Sequence, residues 1–411
     1  MLTIDLITYS SDNGKKYDFR SVHAELISAL TENISLNFID NKDIDKISDS
    51  NLKIIFITSG GVEHKIVADY EMLPHPVILL ADGINNSLSS AMELMCWIKR
   101  KGAKYELLHG NYEEISERLY YLDKLFRSRN SLNEKKIGVI GAPSPWLVAS
   151  NVDYLLAQHR WGVNFVDVSL NEVAQRFKDV NEADSAKVAA EITGRALAIR
   201  EVQPASILKA CSLYLAIKQT VKDYKLDAYT INCFDVAKAF NTTGCLAIAL
   251  LNDEGIISGC EGDMQSVFTL LMANTVTKQT GFMGNVLFIE PDNVVVFGHN
   301  TIGLKQTTQF IIRNHVEIDK GVTIQGIVPE SEVTVLKCGN ESLDSFFVSK
   351  GFITENTNYV NASRTQFRVK LNLSTDYFIN NPLGNHHVVI AGNHEKIIND
   401  LLLSNSCIRV Y

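Results

Sequence analysis

The chain has 411 residues, 46% hydrophobic and 21% charged, with a formal net charge of −8. A single hydrophobic core stops growing at roughly 250–300 residues, so two or three domains are expected. Eight prolines, an acidic balance and the lack of any uninterrupted apolar run of about 20 residues argue against extensive disorder, non-specific nucleic-acid binding and a transmembrane helix.

The opening MLTIDLITYSSDNGKK shows no basic region leading into an apolar stretch and a small-residue cleavage site. The seven cysteines, an odd number, lie far apart and form no CxxC pair. A reducing compartment, and so a cytoplasmic protein, is expected. Strands are predicted at Leu2 to Thr8, Asn51 to Thr58 and Pro76 to Ala81, with helices at Ser21 to Leu30, Ser87 to Lys101 and Glu113 to Arg129. Such alternation implies a parallel sheet covered by helices on both faces. The polar segment Ser128 to Lys136 is read as a domain boundary.

A second α/β rhythm follows. Strands are expected at Lys136 to Gly141, Val163 to Val168 and Asp227 to Asn232. Helices are expected at Trp146 to His159, within 182–223 and at Thr243 to Leu251. After about residue 285 the segments become short and alternating: Val286 to Glu290, Asn293 to Phe297, Thr308 to Ile312, Thr323 to Val328, Glu332 to Lys337, Gln366 to Leu373 and His387 to Ala391. An antiparallel sheet or small barrel is expected there, with one helix at Glu395 to Leu403. The expected fold is α/β: two Rossmann-like parallel-sheet domains, 1–134 and 135–286, then a β-rich, antiparallel barrel-like domain, 287–411.

Four segments carry candidate chemistry. In IISGCEGDMQ a strand runs into Gly259, and Glu261 and Asp263 leave its carboxyl end, where open α/β sheets bind ligands. Carboxylate oxygens there suit Mg²⁺ or Mn²⁺. Asp263 also reads as the cap of the helix that follows. Gly384-Asn385-His386-His387 opens a strand on which adjacent histidines face opposite sides, so only one can face a given site. His299 ends another strand. Gly141-Ala-Pro-Ser144-Pro-Trp146 lies at a strand–helix junction, either a plain turn with Ser144 as a cap or a binding loop with Trp146 against a sugar ring. No GxGxxG, P-loop or GxSxG motif is present.

CEGD, FMGN (Phe282 to Asn285) about 24 residues later, and GNHH near the carboxyl end occur in the order seen in the L-fucose isomerase and L-arabinose isomerase superfamily. GAPSPWLVAS, YTINCF and TTGCLAIALLNDEGI resemble its shorter L-fucose isomerase-like members. The resemblance covers roughly residues 136–300 and 364–395, and the first 130 residues share only α/β character.

The resemblance implies a metal-dependent aldose–ketose isomerase acting on a free pentose, 6-deoxyhexose or related sugar through an enediol, with Mn²⁺ or another divalent cation. It implies Glu261, Asn285 and His386 as metal ligands, Glu261 and Asn285 as catalytic groups, and His299, Trp146, Ser144, Asn385 and Asp263 as substrate contacts. It also implies a homo-oligomer, a hexamer or trimer, whose sites borrow residues from a neighbouring subunit. One departure stands out. The family has Asp where this chain has Asn285, which keeps a carbonyl oxygen but cannot act as a base. Glu290 or Asp292 takes the role if the alignment shifts by a few residues. The alternative reading is a sugar-binding protein without isomerase chemistry. A receptor built of two Rossmann-like lobes fits less well, given the β-rich final third.

Overall fold

The computed structural model describes residues 2–11, 18–47 and 49–411. They divide into two compact units, Met1–Arg127 and Ser128–Tyr411. The first holds a five-stranded parallel sheet of β1 (Leu2–Tyr9), β2 (Ile34–Asp40), β3 (Leu52–Ile57), β4 (Val77–Leu80) and β5 (Tyr105–Leu108), in the order β2-β1-β3-β4-β5. Its strands are apolar on both faces because helices cover both. Ile4, Leu6, Ile54 and Phe56 pack into one cluster, while Ile7, Tyr9, Ile55 and Ile57 pack into another. That is the period-2 alternation of a strand buried on both sides.

The second unit begins with a four-stranded parallel sheet, β6 (Lys136–Ile140), β7 (Asn164–Val168), β9 (Ala228–Ile231) and β10 (Ile257–Cys260), in the order β10-β9-β6-β7. Six strands then form a closed antiparallel barrel: β11 (Phe282–Glu290), β12 (Val294–His299), β15 (Glu332–Gly339), β16 (Ser345–Asn356), β17 (Thr365–Leu371) and β18 (His386–Ala391). Their order is β15-β18-β11-β12-β17-β16, and pairing of β15 with β16 closes the ring. β19 (Ile408–Arg409) adds to β16 in parallel. Phe282, Phe297, Val335, Phe347, Phe367 and Val389 fill the interior. The fold is thus two parallel-sheet α/β parts followed by an antiparallel barrel, and the second parallel sheet and the barrel share one unit.

Several sequence expectations are corrected. No helix begins at Trp146; the segment from 142 to 153 is a loop, and the helix is Tyr154–Trp161. Pro143 and Pro145 disfavour helical backbone at the residues before them. The helix starts where Asp153 accepts from the Leu155 and Leu156 amides. The strands expected near 308 and 323 exist as β13 (Gln309–Arg313) and β14 (Thr323–Ile327), but they pair with each other, and β13 with β8 (Ala198–Ile199), in a small sheet outside the barrel. β2, β5 and β16 were not expected. Ser349, Lys350 and Gly351 interrupt the apolar pattern of β16, and Gly351 is needed where a Cβ would lie 2.8 Å from the Lys370 carbonyl oxygen. Among the described residues, no single helix is long and apolar enough to cross a membrane.

Candidate metal centre

Glu261 follows β10 directly and holds a left-handed backbone, φ 62°. A non-glycine residue there stores of order 1 kcal/mol of strain or more, which persists only where its surroundings enforce it. Here Ser144 N–H donates to the Glu261 carbonyl at 2.9 Å. The next residue, Gly262 (φ 74°), brings the turn so close to the loop that a Cβ would lie 2.6 Å from Pro143 Cα. The same loop holds the side chain, because Trp146 Nε1 donates to Glu261 Oε2 at 2.7 Å. The unexpected loop of 142–153 therefore gives Trp146 its reach.

Two barrel histidines meet the other oxygen. His386 Nε2 lies 3.5 Å from Glu261 Oε1, and His299 Nε2 lies 3.7 Å from it. Both imidazoles are buried, and neither Nε2 has a hydrogen-bond partner. Orphaned buried nitrogens are costly, of order 1–3 kcal/mol each, and are rare without a reason. Ligand atoms held about 2.0–2.2 Å from a common ion stand roughly 3–3.5 Å apart. The three atoms, all within 4.8 Å of one another, fit that arrangement and could hold a metal ion.

Asp263 orients this set from behind. It caps helix Met264–Thr277, accepting from Ser266 N at 2.7 Å and Ser266 Oγ at 2.8 Å. It also lies 2.9 Å from His386 Nδ1. A carboxylate at Nδ1 keeps the proton there and leaves the Nε2 lone pair directed at Glu261. Lys337, fully buried like Asp263, sits 3.5 Å from the same carboxylate oxygen and donates to Ser266 Oγ at 2.9 Å. One carboxylate thus both caps the helix and meets His386. Both oxygens of Asp263 are thereby engaged.

The charges follow from these contacts. Burial pushes the Glu261 carboxyl up, but His299 and His386 outweigh it and hold it well below the usual carboxylate range. Burial also opposes the charge on Asp263, and Lys337 and His386 more than offset this. Burial pushes His386 down, yet Asp263 and Glu261 hold it above an ordinary imidazole. Burial lowers Lys337, and Asp263 only partly opposes that.

The remaining expected residues are placed as follows. Asn285 sits opposite His386 in the β11–β18 register, and Asn385 Nδ2 donates to its Oδ1 at 3.1 Å. The carboxylate–imidazole group contains His299, which was expected to line the site. Glu290 is engaged by Arg368 at 2.8 Å. Ser144 Oγ is buried without a partner. His387 is buried among barrel aromatics, with Nε2 2.9 Å from Tyr377 OH. Burial pushes it down to about 3, with Lys337 adding to the effect. Sequence reasoning missed Lys337 and Ser266. A lysine two residues beyond Val335, on a strand of alternating valines, is the one readable signal. All seven cysteines are free thiols. A cavity of 410 Å³, lined by Phe282, Val333, Ile353 and Lys278 among others, includes none of Glu261, His299 or His386.

No family model matches the chain. Over part of its length it is similar to sugar isomerases. It is 21% identical over 219 residues to the sulfoquinovose isomerases of Priestia megaterium and Priestia aryabhattai, covering 52% of this chain and 49% of each relative. It is 25% identical over 198 residues to the sulfoquinovose isomerase of a Clostridium species, covering 46% of this chain and 44% of that relative. The chain thus spans about half the length of the curated relatives it matches.

Proposed function

We propose that this chain is an aldose–ketose isomerase that acts on a free pentose, 6-deoxyhexose or related sugar, with Mn²⁺ or another divalent cation held by Glu261, His299 and His386. The observation that carries the reading is the convergence of two buried, unpartnered imidazole nitrogens on one ionised carboxylate oxygen. Similarity to three sulfoquinovose isomerases supports the reaction class. A divalent ion, when bound, polarises a sugar carbonyl and steadies enediolate charge.

The chain's own residues supply the rest. Glu261 stays ionised at neutral pH, and in this reading it takes the proton that moves between adjacent carbons. Trp146 holds its Oε2 and fixes its rotamer. Asp263 sets the tautomer of His386. The paired amides of Asn285 and Asn385 lie beside His386, where they can donate to and accept from sugar hydroxyls. We infer a homo-oligomer, trimer or hexamer, from the family resemblance.

Asn285 favours a second reading, a sugar-binding protein without turnover, because a neutral amide stands where the resembling family has a carboxylate. The deciding experiment is an isomerisation assay on a panel of L-fucose, L-arabinose and sulfoquinovose. EDTA should abolish turnover and Mn²⁺ should restore it. Absence of turnover across the panel with Mn²⁺ present would overturn the isomerase reading for these sugars.

A further inference from the structure

We propose that His315, backed by Glu317 and Asn300, is a second polar subsite that grips the far hydroxyls of an uncharged sugar. The inference rests on the isomerase reading of the Glu261 site. Two lines of contact lead from that site to His315. Through the rings, the Trp146 indole that holds Glu261 meets Phe234 edge-on, with ring centroids 4.8 Å apart at 85°. Phe234 in turn meets the His315 ring at 5.8 Å and 75°. Through the backbone, His299 and Asn300 are consecutive. His299 turns to Glu261, while the Asn300 amide reaches His315 Nε2 at 3.3 Å and donates to Glu317 Oε2 at 2.9 Å. The apolar rings between two polar ends match a small ligand whose carbon faces stack and whose hydroxyls are held at the ends.

His315 is 4% exposed. Its Nδ1 lies 2.8 Å from Glu317 Oε2 but lacks the alignment of a hydrogen bond. The site described above makes no use of this buried imidazole. An imidazole, a carboxylate and an amide together both donate and accept, which suits hydroxyl groups. The charge balance selects against an anionic end. Glu317 is ionised, held down by His315 and Asn300 against the opposing pull of burial. One nearby cation, Arg364, is already taken: it donates to the Asn314 carbonyl at 3.0 Å and to Asn314 Oδ1 at 2.6 Å, and pairs with Glu201 at 3.5 Å. A terminal phosphate would meet the ionised Glu317 carboxylate.

The test is calorimetric binding of L-fucose, L-arabinose and arabinose 5-phosphate to Mn²⁺-loaded wild type, His315→Gln and Glu317→Gln, with turnover measured in parallel. Wild type should bind a free sugar and bind the phosphate ester at least about 10-fold more weakly. His315→Gln should weaken free-sugar binding about 10-fold or more while leaving Mn²⁺ affinity unchanged. Glu317→Gln, a change at a more exposed residue, should narrow the gap between ester and free sugar. Equal free-sugar affinity in His315→Gln, an ester bound as well as the free sugar, or no free-sugar binding by wild type would each overturn the subsite. Free-sugar binding without turnover would overturn the isomerase reading alone, and the His315→Gln comparison would still decide the subsite.

Discussion

His386 Nδ1 lies 2.9 Å from Asp263 Oδ2, and both residues are fully buried. This contact joins the barrel strand β18 to the helix that follows β10, and it decides which imidazole nitrogen faces Glu261. Asp263→Asn removes the charge that keeps the Nδ1 proton in place and leaves Lys337 buried without a carboxylate. We expect Mn²⁺ affinity to fall about 10–100-fold. Stability should drop by about 3–5 kcal/mol, the usual cost of breaking a buried pair. Calorimetric Mn²⁺ titration and urea denaturation measure the two effects. Unchanged Mn²⁺ affinity in a folded variant would contradict the assigned tautomer.

Lys337 shares that carboxylate and the Ser266 hydroxyl. Lys337→Met and Asp263→Asn should therefore be strongly non-additive. The double variant should lose less stability than the two single losses together, by about 1–3 kcal/mol. A double-variant cycle in urea reads this directly, and simple additivity would count against a shared network.

Trp146→Phe keeps the ring against Phe234 but removes the donor to Glu261 Oε2. Because Trp146 is 48% exposed, stability should change by less than about 0.5 kcal/mol. Turnover should fall about 10-fold, as expected for a lost hydrogen bond to a charged group. Steady-state kinetics and thermal denaturation on the same preparation separate these outcomes. A large stability loss with normal turnover would reverse the assignment.

His387 sets an acid limit on stability. Its folded value of about 3 lies below the 6.5 of a free imidazole. Between those values the unfolded chain takes up a proton that the folded chain refuses, so stability falls as pH drops through that window. Tyr377 OH receives the Leu383 amide and can give its own proton to His387 Nε2, an acceptor that protonation would destroy. His386 has the opposite sign: its value is raised, so its contribution is full below about pH 6.5 and is lost as pH rises through the raised value. In metal-free protein, His387→Gln should flatten the loss of stability between about pH 6.5 and 5. An unchanged slope in urea denaturation would refute this.

Asn285→Asp places a carboxylate beside His386 while keeping an acceptor for Asn385. Mn²⁺ affinity should rise by about tenfold. If wild type turns over no sugar and this variant does, the chain is a binding protein that has lost its chemistry. If wild type is active and the variant gains little, the amide is sufficient.

The strand–helix rhythm and the β-rich end were legible because burial on two faces or one writes itself into apolar runs and alternation. β16 was not, because Ser349, Lys350 and Gly351 sit where partner strands rather than side chains decide the conformation. Glu261, His299 and His386 stood out singly, at the ends of strands. Their meeting depends on a parallel sheet and a barrel brought together across more than a hundred residues, which no local pattern encodes. Lys337 was hidden for the same reason: its carboxylate lies 74 positions earlier in the chain. The apolar neighbours of Trp146 read as helical despite Pro143 and Pro145, and its contact with Glu261 needs the loop that those prolines favour.

The most direct test of the metal centre is calorimetric titration of Mn²⁺ into EDTA-stripped protein, with Glu261→Gln, His299→Gln and His386→Gln alongside. A single site per chain in wild type, weakened at least about 100-fold in each folded variant, is the expected result. Absence of Mn²⁺ binding by wild type, or binding that survives all three substitutions, would contradict it.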